Sequence, residues 1–255
     1  MSGRIFLFLL LATVSAAAQI DPVTQSIDTS SSIGAFPKSR LNTDAAAPQN
    51  YPGSSIVSVA ALSIPARARK EFNKGNEALQ RQDFAQARQL LGKAVSLYPQ
   101  FAGAYNNLAV VFAHLGDHER EREALQKALD LNDHFELAYL NWGRMEIGNS
   151  NFADAESALS KASALDQNDS NATILLAYSQ FMQGHLQAAI ASSRRAHNLG
   201  NPHAFAHRIA ARGFVQLGQP DRAVEELSLA MEEDPAGHQG SEARKEVEQL
   251  RAFSR

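Results

Sequence analysis

His203 and His207 are the two side chains in this 255-residue sequence whose spacing best fits a chemical site. Residues at positions i and i+4 lie on one face of a helix, and imidazole nitrogens are common ligands of transition metals. His114 and His118 have the same spacing, but a predicted helix turn separates them. We find no third ligand close to His203 and His207 in the sequence. The interpretation that we favour is therefore that both lie at ordinary surface positions, and we predict no metal site.

Short motifs of catalysis are absent. The sequence contains no G-x-G-x-x-G, G-x-x-x-x-G-K, H-E-x-x-H or G-x-S-x-G segment, and it contains no cysteine. The lack of cysteine excludes disulfides, thiol nucleophiles and cysteine-based zinc sites. A formal net charge of −3 is not the strongly basic surface that nucleic-acid binding requires. We predict no enzymatic activity, no catalytic residue and no cofactor.

The first 18 residues have the pattern of a secretory signal peptide. Arg4 supplies the positive charge, an apolar stretch follows over residues 5–14, and small residues at 16–18 resemble a cleavage site. The alternative is an uncleaved membrane anchor, but a spanning helix needs about 20 apolar residues. We predict an exported protein, periplasmic or secreted, with no membrane span once the signal is removed.

Residues 19–64 separate this segment from the rest of the chain. Ser, Thr, Pro, Asp, Asn and Ala dominate residues 19–55, with no apolar period, and a short apolar segment follows over residues 56–64. Such a composition buries too little surface to offset chain entropy, so we predict a disordered linker. Pro65 suits the first turn of a helix, where its missing N–H costs nothing.

An unbroken period of 34 residues runs from Ala68 to Gly237. Small residues recur at one position of the period, namely Ala94, Ala128, Ala162, Ala196 and Ala230. Leucine recurs at another, namely Leu97, Leu131, Leu165 and Leu199, with Glu233 as the exception. A turn position holds Gln82, Gly116, Ser150, Gly184 and Gly218, where a left-handed backbone is expected. Small residues let two helices approach closely, so the period predicts stacked helical hairpins.

The period and its small, aromatic and proline positions resemble the tetratricopeptide repeat. The resemblance covers residues 65–237 as five repeats, 68–101, 102–135, 136–169, 170–203 and 204–237. It implies an all-α fold, a right-handed α-solenoid of antiparallel helix pairs. We expect residues 241–253 to form a capping helix over the last hairpin, because terminal repeats need a cover.

Glu121 departs from this pattern, because the other repeats place a small residue there. An unpaired buried carboxylate would cost several kcal/mol. We therefore expect Glu121 to point to solvent or to pair with Arg120 or Arg122.

In proteins similar to this one, the first helices of successive repeats line a concave groove that binds a partner. The resemblance assigns to this groove Arg69, Phe72, Asn76, Asn106, Val110, Leu140, Arg144, Ile147, Ile174, Tyr178, Phe181, Met182, Phe205, Arg208 and Arg212. These positions include four arginines and no acid, and several are apolar. Such a groove suits a protein or peptide ligand with apolar anchors and acidic flanks.

The best-known ligand mode of such repeats is a clamp on a C-terminal carboxylate. Asn76 and Asn107 match its two asparagines, but Phe72 and Leu137 replace its lysines and Asn141 replaces its arginine. We do not expect that mode here.

The predicted function is that of a non-catalytic interaction scaffold that binds a partner in the groove. The alternative is a self-associating or autoinhibited solenoid with residues 19–64 in the groove. A metal-dependent role through His203 and His207 ranks below both.

Overall fold

The computed structural model describes residues 64–199 and 204–253. The predicted signal peptide, almost all of the predicted linker and His203 lie outside this part of the chain. The described residues form eleven helices and no strand. The helices are α1 (Ala66–Gln80), α2 (Phe84–Leu97), α3 (Ala102–His114), α4 (His118–Leu131), α5 (Glu136–Gly148), α6 (Phe152–Leu165), α7 (Ser170–Met182), α8 (Leu186–Asn198), α9 (Ala204–Gln216), α10 (Pro220–Glu233) and α11 (His238–Phe253). Consecutive helices pack as antiparallel hairpins, so the predicted all-α solenoid is confirmed.

The turn inside each hairpin has a left-handed residue at the predicted position. Gly116, Gly184 and Gly218 have φ values of 72°, 78° and 70°. The two residues with side chains at this position, Gln82 and Ser150, have φ values of 59° and 60°. Glycine adopts this conformation without steric cost, which explains its recurrence here.

The second helices start on side-chain caps in the first two repeats. The Asp83 carboxylate accepts a hydrogen bond from the Gln86 amide at 3.0 Å, and Asp117 accepts one from the Arg120 amide at 3.2 Å. In the fifth repeat Pro220 occupies the first turn of α10. Each device satisfies or removes a backbone N–H that has no partner within the helix.

Small residues at the helix crossings allow the hairpins to close. The five alanines of the repeating column, from Ala94 to Ala230, are all fully buried. Gly143 lies so close to Leu159 that an added methyl group would overlap the Leu159 side chain. Leu159 is itself fully buried. Burying one such leucine contributes about 1.5–3 kcal/mol, so the crossings supply much of each hairpin's stability.

Glu121 lies differently from the prediction. Its side chain is buried, and its hydrogen-bond partner is His118 Nδ1 at 3.2 Å rather than an arginine. Arg122 instead bonds Glu146 at 2.6 Å and places its guanidinium over the Trp142 ring. Burial raises the pKa of Glu121, although the hydrogen bond and charge of His118 oppose the rise. His118 and Glu121 are thus two departures from the repeat pattern that compensate each other.

A sixteen-residue helix, α11, covers the last hairpin. It starts at His238, three residues before the predicted Ser241, because the Asp234 carboxylate accepts hydrogen bonds from the amides of Gln239 and Gly240 at 2.9 and 3.3 Å. Ala243 and Val247 on this helix are buried against the fifth repeat. Within residues 64–199 and 204–253, no helix is long and apolar enough to cross a membrane.

Candidate functional site

The first helices of the five hairpins, α1, α3, α5, α7 and α9, carry the fifteen residues that the sequence assigns to the groove. Nine of these side chains are buried: Phe72, Asn76, Asn106, Val110, Leu140, Ile147, Ile174, Tyr178 and Arg208. The remaining six, Arg69, Arg144, Phe181, Met182, Phe205 and Arg212, are partly or fully exposed. These nine side chains have little contact with solvent in this conformation, and their part in partner binding stays a prediction.

Aromatic packing accounts for two of the buried positions. The Tyr178 ring lies 6.0 Å from the Phe152 ring and 6.2 Å from the Phe205 ring, measured between centroids. Phe72 packs against Phe101, the residue directly before α3 of the second repeat, with ring centroids 4.5 Å apart. Ring pairs at these separations stabilise the junction between repeats. Tyr178 and Phe72 therefore hold neighbouring hairpins together.

Four asparagines form a buried chain of hydrogen bonds across the first three repeats. Asn107 Nδ2 donates to Asn76 Oδ1 at 2.7 Å, and Asn106 Nδ2 donates to Asn107 Oδ1 at 3.1 Å. Asn141 Nδ2 then donates to Asn106 Oδ1 at 2.9 Å. Buried amides need such partners, and here they satisfy one another. These contacts take up amide groups that a carboxylate clamp would use.

The arginines of α9 bind the C-terminal helix. Arg208 donates to Gln239 Oε1 at 2.5 Å and to Glu246 Oε1 at 2.8 Å. Arg212 donates to the same Glu246 oxygen at 2.8 and 3.2 Å. Glu246 therefore neutralises positive charge that the sequence assigned to ligand binding. The two arginines attach α11 to the fifth repeat.

The other two predicted groove arginines also have contacts within the chain. Arg69 donates to the backbone carbonyl of Ile64 at 3.3 Å. Burial lowers the pKa of Arg144, and the negative charge of Asp169 acts in the opposite direction. Three of the four predicted groove arginines thus interact with an acid of the same chain, Glu246 or Asp169.

Exposed apolar side chains remain where the first helices end. Met182, the last residue of α7, is 39 % exposed, and Val215 near the end of α9 is 38 % exposed. Leu115, directly after α3, is 45 % exposed and was missing from the predicted set. Phe181 is partly exposed beside Met182. These four residues, Leu115, Phe181, Met182 and Val215, lie at the twelfth to fourteenth positions of three repeats and are called the apolar edge below.

The expectation that His207 lies at a surface position is wrong. His203 lies outside the described residues, and His207 is buried in α9 with its Nδ1 atom 2.7 Å from Glu226 Oε2. His114 stacks on Phe84 with ring centroids 4.2 Å apart, and burial lowers its pKa. His118 bonds Glu121 instead of approaching His114.

His207 has two further neighbours. Its Nε2 atom lies 3.1 Å from His197 Nδ1 and 3.5 Å from Glu233 Oε1. His197 Nδ1 is also 3.0 Å from Glu233 Oε1. These three residues come from α8, α9 and α10, and sequence spacing alone did not bring them together. The one unusual feature of this region in the sequence is Glu233, which interrupts the leucine column.

Glu226 supports His207 from the side away from this cluster. Arg194 donates to Glu226 Oε1 from Nε at 2.9 Å and from a terminal guanidinium nitrogen at 2.7 Å. Burial acts to raise the pKa of Glu226, but the hydrogen bonds from His207 and Arg194 outweigh it, so the pKa lies below its ordinary value. The carboxylate therefore stays ionised and accepts hydrogen bonds from both neighbours.

Comparison with protein families identifies the repeats. A model described as tetratricopeptide repeat matches residues 72–134, and a model described as anaphase-promoting complex, cyclosome, subunit 3 matches residues 148–228. The chain is also 26 % identical over 101 residues to the small glutamine-rich tetratricopeptide repeat-containing protein 2 of Mycosarcoma maydis. That alignment covers 40 % of this chain and 29 % of the relative. The chain therefore contains tetratricopeptide repeats.

Solved structures share the solenoid. MamA from Desulfovibrio magneticus RS-1 is 19 % identical with a TM-score of 0.62, covering 68 % of this chain and 98 % of that one. YrrB, described as a TPR protein with an unusual peptide-binding site, is 20 % identical with a TM-score of 0.61, covering 70 % and 92 %. PilF from Pseudomonas aeruginosa is 20 % identical with a TM-score of 0.62, covering 73 % and 87 %. At these identities the similarity establishes the fold.

Proposed function

We propose that this protein is an exported, non-catalytic interaction scaffold that binds a partner protein or peptide along its first helices. The observation that carries the proposal is the apolar edge, where Leu115, Met182 and Val215 are each more than a third exposed. These three residues lie at the twelfth to fourteenth positions of three different repeats, near the ends of the first helices. Large apolar side chains that stay in contact with water are typical of an interaction surface when they lie in one patch.

The composition of the edge supports a partner with apolar anchors. Arg208 and Arg212 are paired with Glu246, so acidic flanks of a ligand would gain less from them than the sequence suggests. Apolar anchors remain the main requirement, and Phe181 with Met182 offers the largest neighbouring pair on the edge. We propose a ligand segment that places one or two apolar side chains against α7.

The test uses photo-crosslinking in the native host with matched positions. A photoreactive amino acid replaces Met182 in one variant and Leu229 in another. Leu229 lies on the second helix of the fifth repeat and is 41 % exposed, which matches the 39 % of Met182. The proposal expects a discrete adduct at Met182 that is missing at Leu229.

A charge substitution then measures the contribution of the edge. Met182→Asp should reduce partner binding at least tenfold, because the carboxylate must lose its hydration when the surface is covered. Leu229→Asp should leave binding unchanged, and circular dichroism should show equal helicity for both variants. Equal crosslinking at both positions, or equal binding by both aspartate variants, would contradict the proposal.

A second candidate is the autoinhibited form, in which residues 19–64 lie in the groove. It is favoured by the burial of α7, whose residues from Ala172 to Gln180 are buried without interruption. A first helix of a solenoid packs on its partner and on both neighbouring repeats, which leaves its remaining face to the groove. Deletion of residues 19–63 should then increase partner binding without changing the molar mass measured by light scattering. A changed mass would indicate self-association instead.

A further inference from the structure

We propose that His197, His207 and Glu233 bind one divalent transition-metal ion of the zinc type, which joins the last two repeats. His197 lies in α8 of the fourth repeat, while His207 and Glu233 lie in α9 and α10 of the fifth. The site is independent of the apolar edge and of any partner that binds there.

The distances among the three ligand atoms fit a metal. His197 Nδ1, His207 Nε2 and Glu233 Oε1 are separated by 3.0, 3.1 and 3.5 Å. Ligand atoms about 2.0–2.1 Å from a tetrahedral zinc ion are about 3.3–3.4 Å apart. The three atoms therefore already form nearly one face of the required tetrahedron, and an ion just outside the plane of that face would need only small side-chain shifts.

The contact between His207 Nδ1 and Glu226 suits a metal ligand. Its Nδ1 atom faces the Glu226 carboxylate, which is acceptor-only when ionised, so the ring proton belongs on Nδ1. The lone pair of Nε2 is then directed to the cluster. Metal-binding histidines commonly donate their second ring N–H to a carboxylate in this way, which fixes the ring. Arg194 holds that carboxylate through two hydrogen bonds.

Glu233 provides a second, independent observation. Its Oε2 atom is buried and, among the described residues, has no hydrogen-bond donor. Leaving a buried carboxylate oxygen without a donor is costly, whereas a metal ion bound at the same carboxylate would balance its charge. The carboxylate also stands where four other repeats place leucine, so its position is not explained by hairpin packing.

One proposed ligand, His207, is buried, and another, His197, lies largely at the surface. His207 is only 4 % exposed, whereas the His197 side chain is 44 % exposed. Three protein ligands leave a fourth position of a tetrahedral ion for water, and the exposed side gives the ion a path from solvent. Because the ligands come from three helices, a bound ion would restrain the junction between the fourth and fifth repeats.

The experiment measures zinc binding to the full chain, stripped of metal by a chelator. Titration against a chromophoric zinc indicator should give one site for the wild type. His197→Ala and Glu233→Gln should each weaken that site at least about 100-fold, since each removes one of three ligands. His185→Ala is the matched control, because His185 also pairs with a glutamate, Glu156 at 3.0 Å, in an exposed position. It should leave the affinity unchanged.

A spectroscopic readout distinguishes coordination from loss of structure. Co²⁺ added to the stripped protein should give the intense visible absorption of a tetrahedral site in the wild type and in His185→Ala, but not in His197→Ala. His197 is largely at the surface, so His197→Ala should keep the helicity of the wild type. No zinc binding by the wild type, or equal affinity in His197→Ala, would overturn the proposal.

Discussion

The left-handed turn position allows a test in which backbone conformation decides whether a substitution raises or lowers the free energy of unfolding. Ser150 has a φ of 60°, where an L-residue with a side chain is strained by about 1–2 kcal/mol. Replacing it by glycine removes that strain but gives the unfolded chain more freedom, which costs about 0.5–1 kcal/mol. Ser150→Gly should therefore stabilise the protein by about 0.5–1 kcal/mol.

The reverse substitution at an equivalent position should have the opposite effect. Gly116 has a φ of 72°, and no heavy atom would lie within 4 Å of a methyl group added there. Gly116→Ala therefore introduces strain without a clash and should destabilise the protein by about 1 kcal/mol. Gly92 is the matched control, because it lies inside α2, has similar open space, and has no positive φ. Gly92→Ala should stabilise by about 1 kcal/mol through helix propensity.

Equilibrium unfolding in urea, followed by far-UV circular dichroism, measures all three variants against the wild type. For a chain of this size, about 1 kcal/mol corresponds to a shift of about 2–4 °C in the thermal midpoint, which provides a second measurement. The explanation fails if Gly116→Ala and Gly92→Ala shift stability in the same direction. It also fails if Ser150→Gly destabilises the protein.

Two further substitutions test packing and charge. Glu121→Ala restores the small residue of the repeat and should stabilise the protein by about 1 kcal/mol at neutral pH. Because burial raises the pKa of Glu121, ionisation disfavours the folded state. The pH-dependent part of the gain in the free energy of unfolding should therefore be complete above the pKa of Glu121 in the folded state. It should vanish below the unfolded-state pKa of about 4.3. Urea unfolding at several pH values across this range would refute the explanation if the gain were constant. Gly240→Ala should destabilise the packing of α11 on the fifth repeat by about 1–3 kcal/mol, because the added methyl group would overlap the Asp234 backbone. Limited proteolysis should then cut α11 faster, and Gly148→Ala, with open space around it, should show no such change.

The hairpins could be predicted from the sequence because their determinants are local. The alanine column and the turn position recur every 34 residues, and each position acts within one hairpin or between adjacent ones. Gly116 and Ser150 could be assigned the same backbone conformation from their place in the period alone. Stacking of such units requires few contacts between residues distant in sequence.

The exposure of the predicted groove residues depends on contacts that cannot be predicted from the 34-residue period. Glu246 reaches Arg208 from 38 positions further along the chain, and it belongs to a helix outside the repeats. Tyr178 is enclosed partly by Phe152 and Phe205, residues of the neighbouring helices. A resemblance to a repeat family assigns a residue to a helix face. The exposed fraction of that residue depends on the side chains that pack over the face.

The histidine cluster was missed for a related reason. Its members are separated by ten residues, between His197 and His207, and by 36, between His197 and Glu233. Such spacings match no short metal-binding motif. Glu233 as the break in the leucine column was the visible hint, and it could not by itself indicate which side chains it meets.

The attachment of α11 makes the two ends of the solenoid unequal. Because Arg208 and Arg212 hold this helix on the fifth hairpin through Glu246, the surface that would receive another hairpin is already occupied. Two copies of the chain therefore cannot join head to tail through that surface without first displacing α11. A filament built by repeated stacking would have to break two ion pairs at every joint.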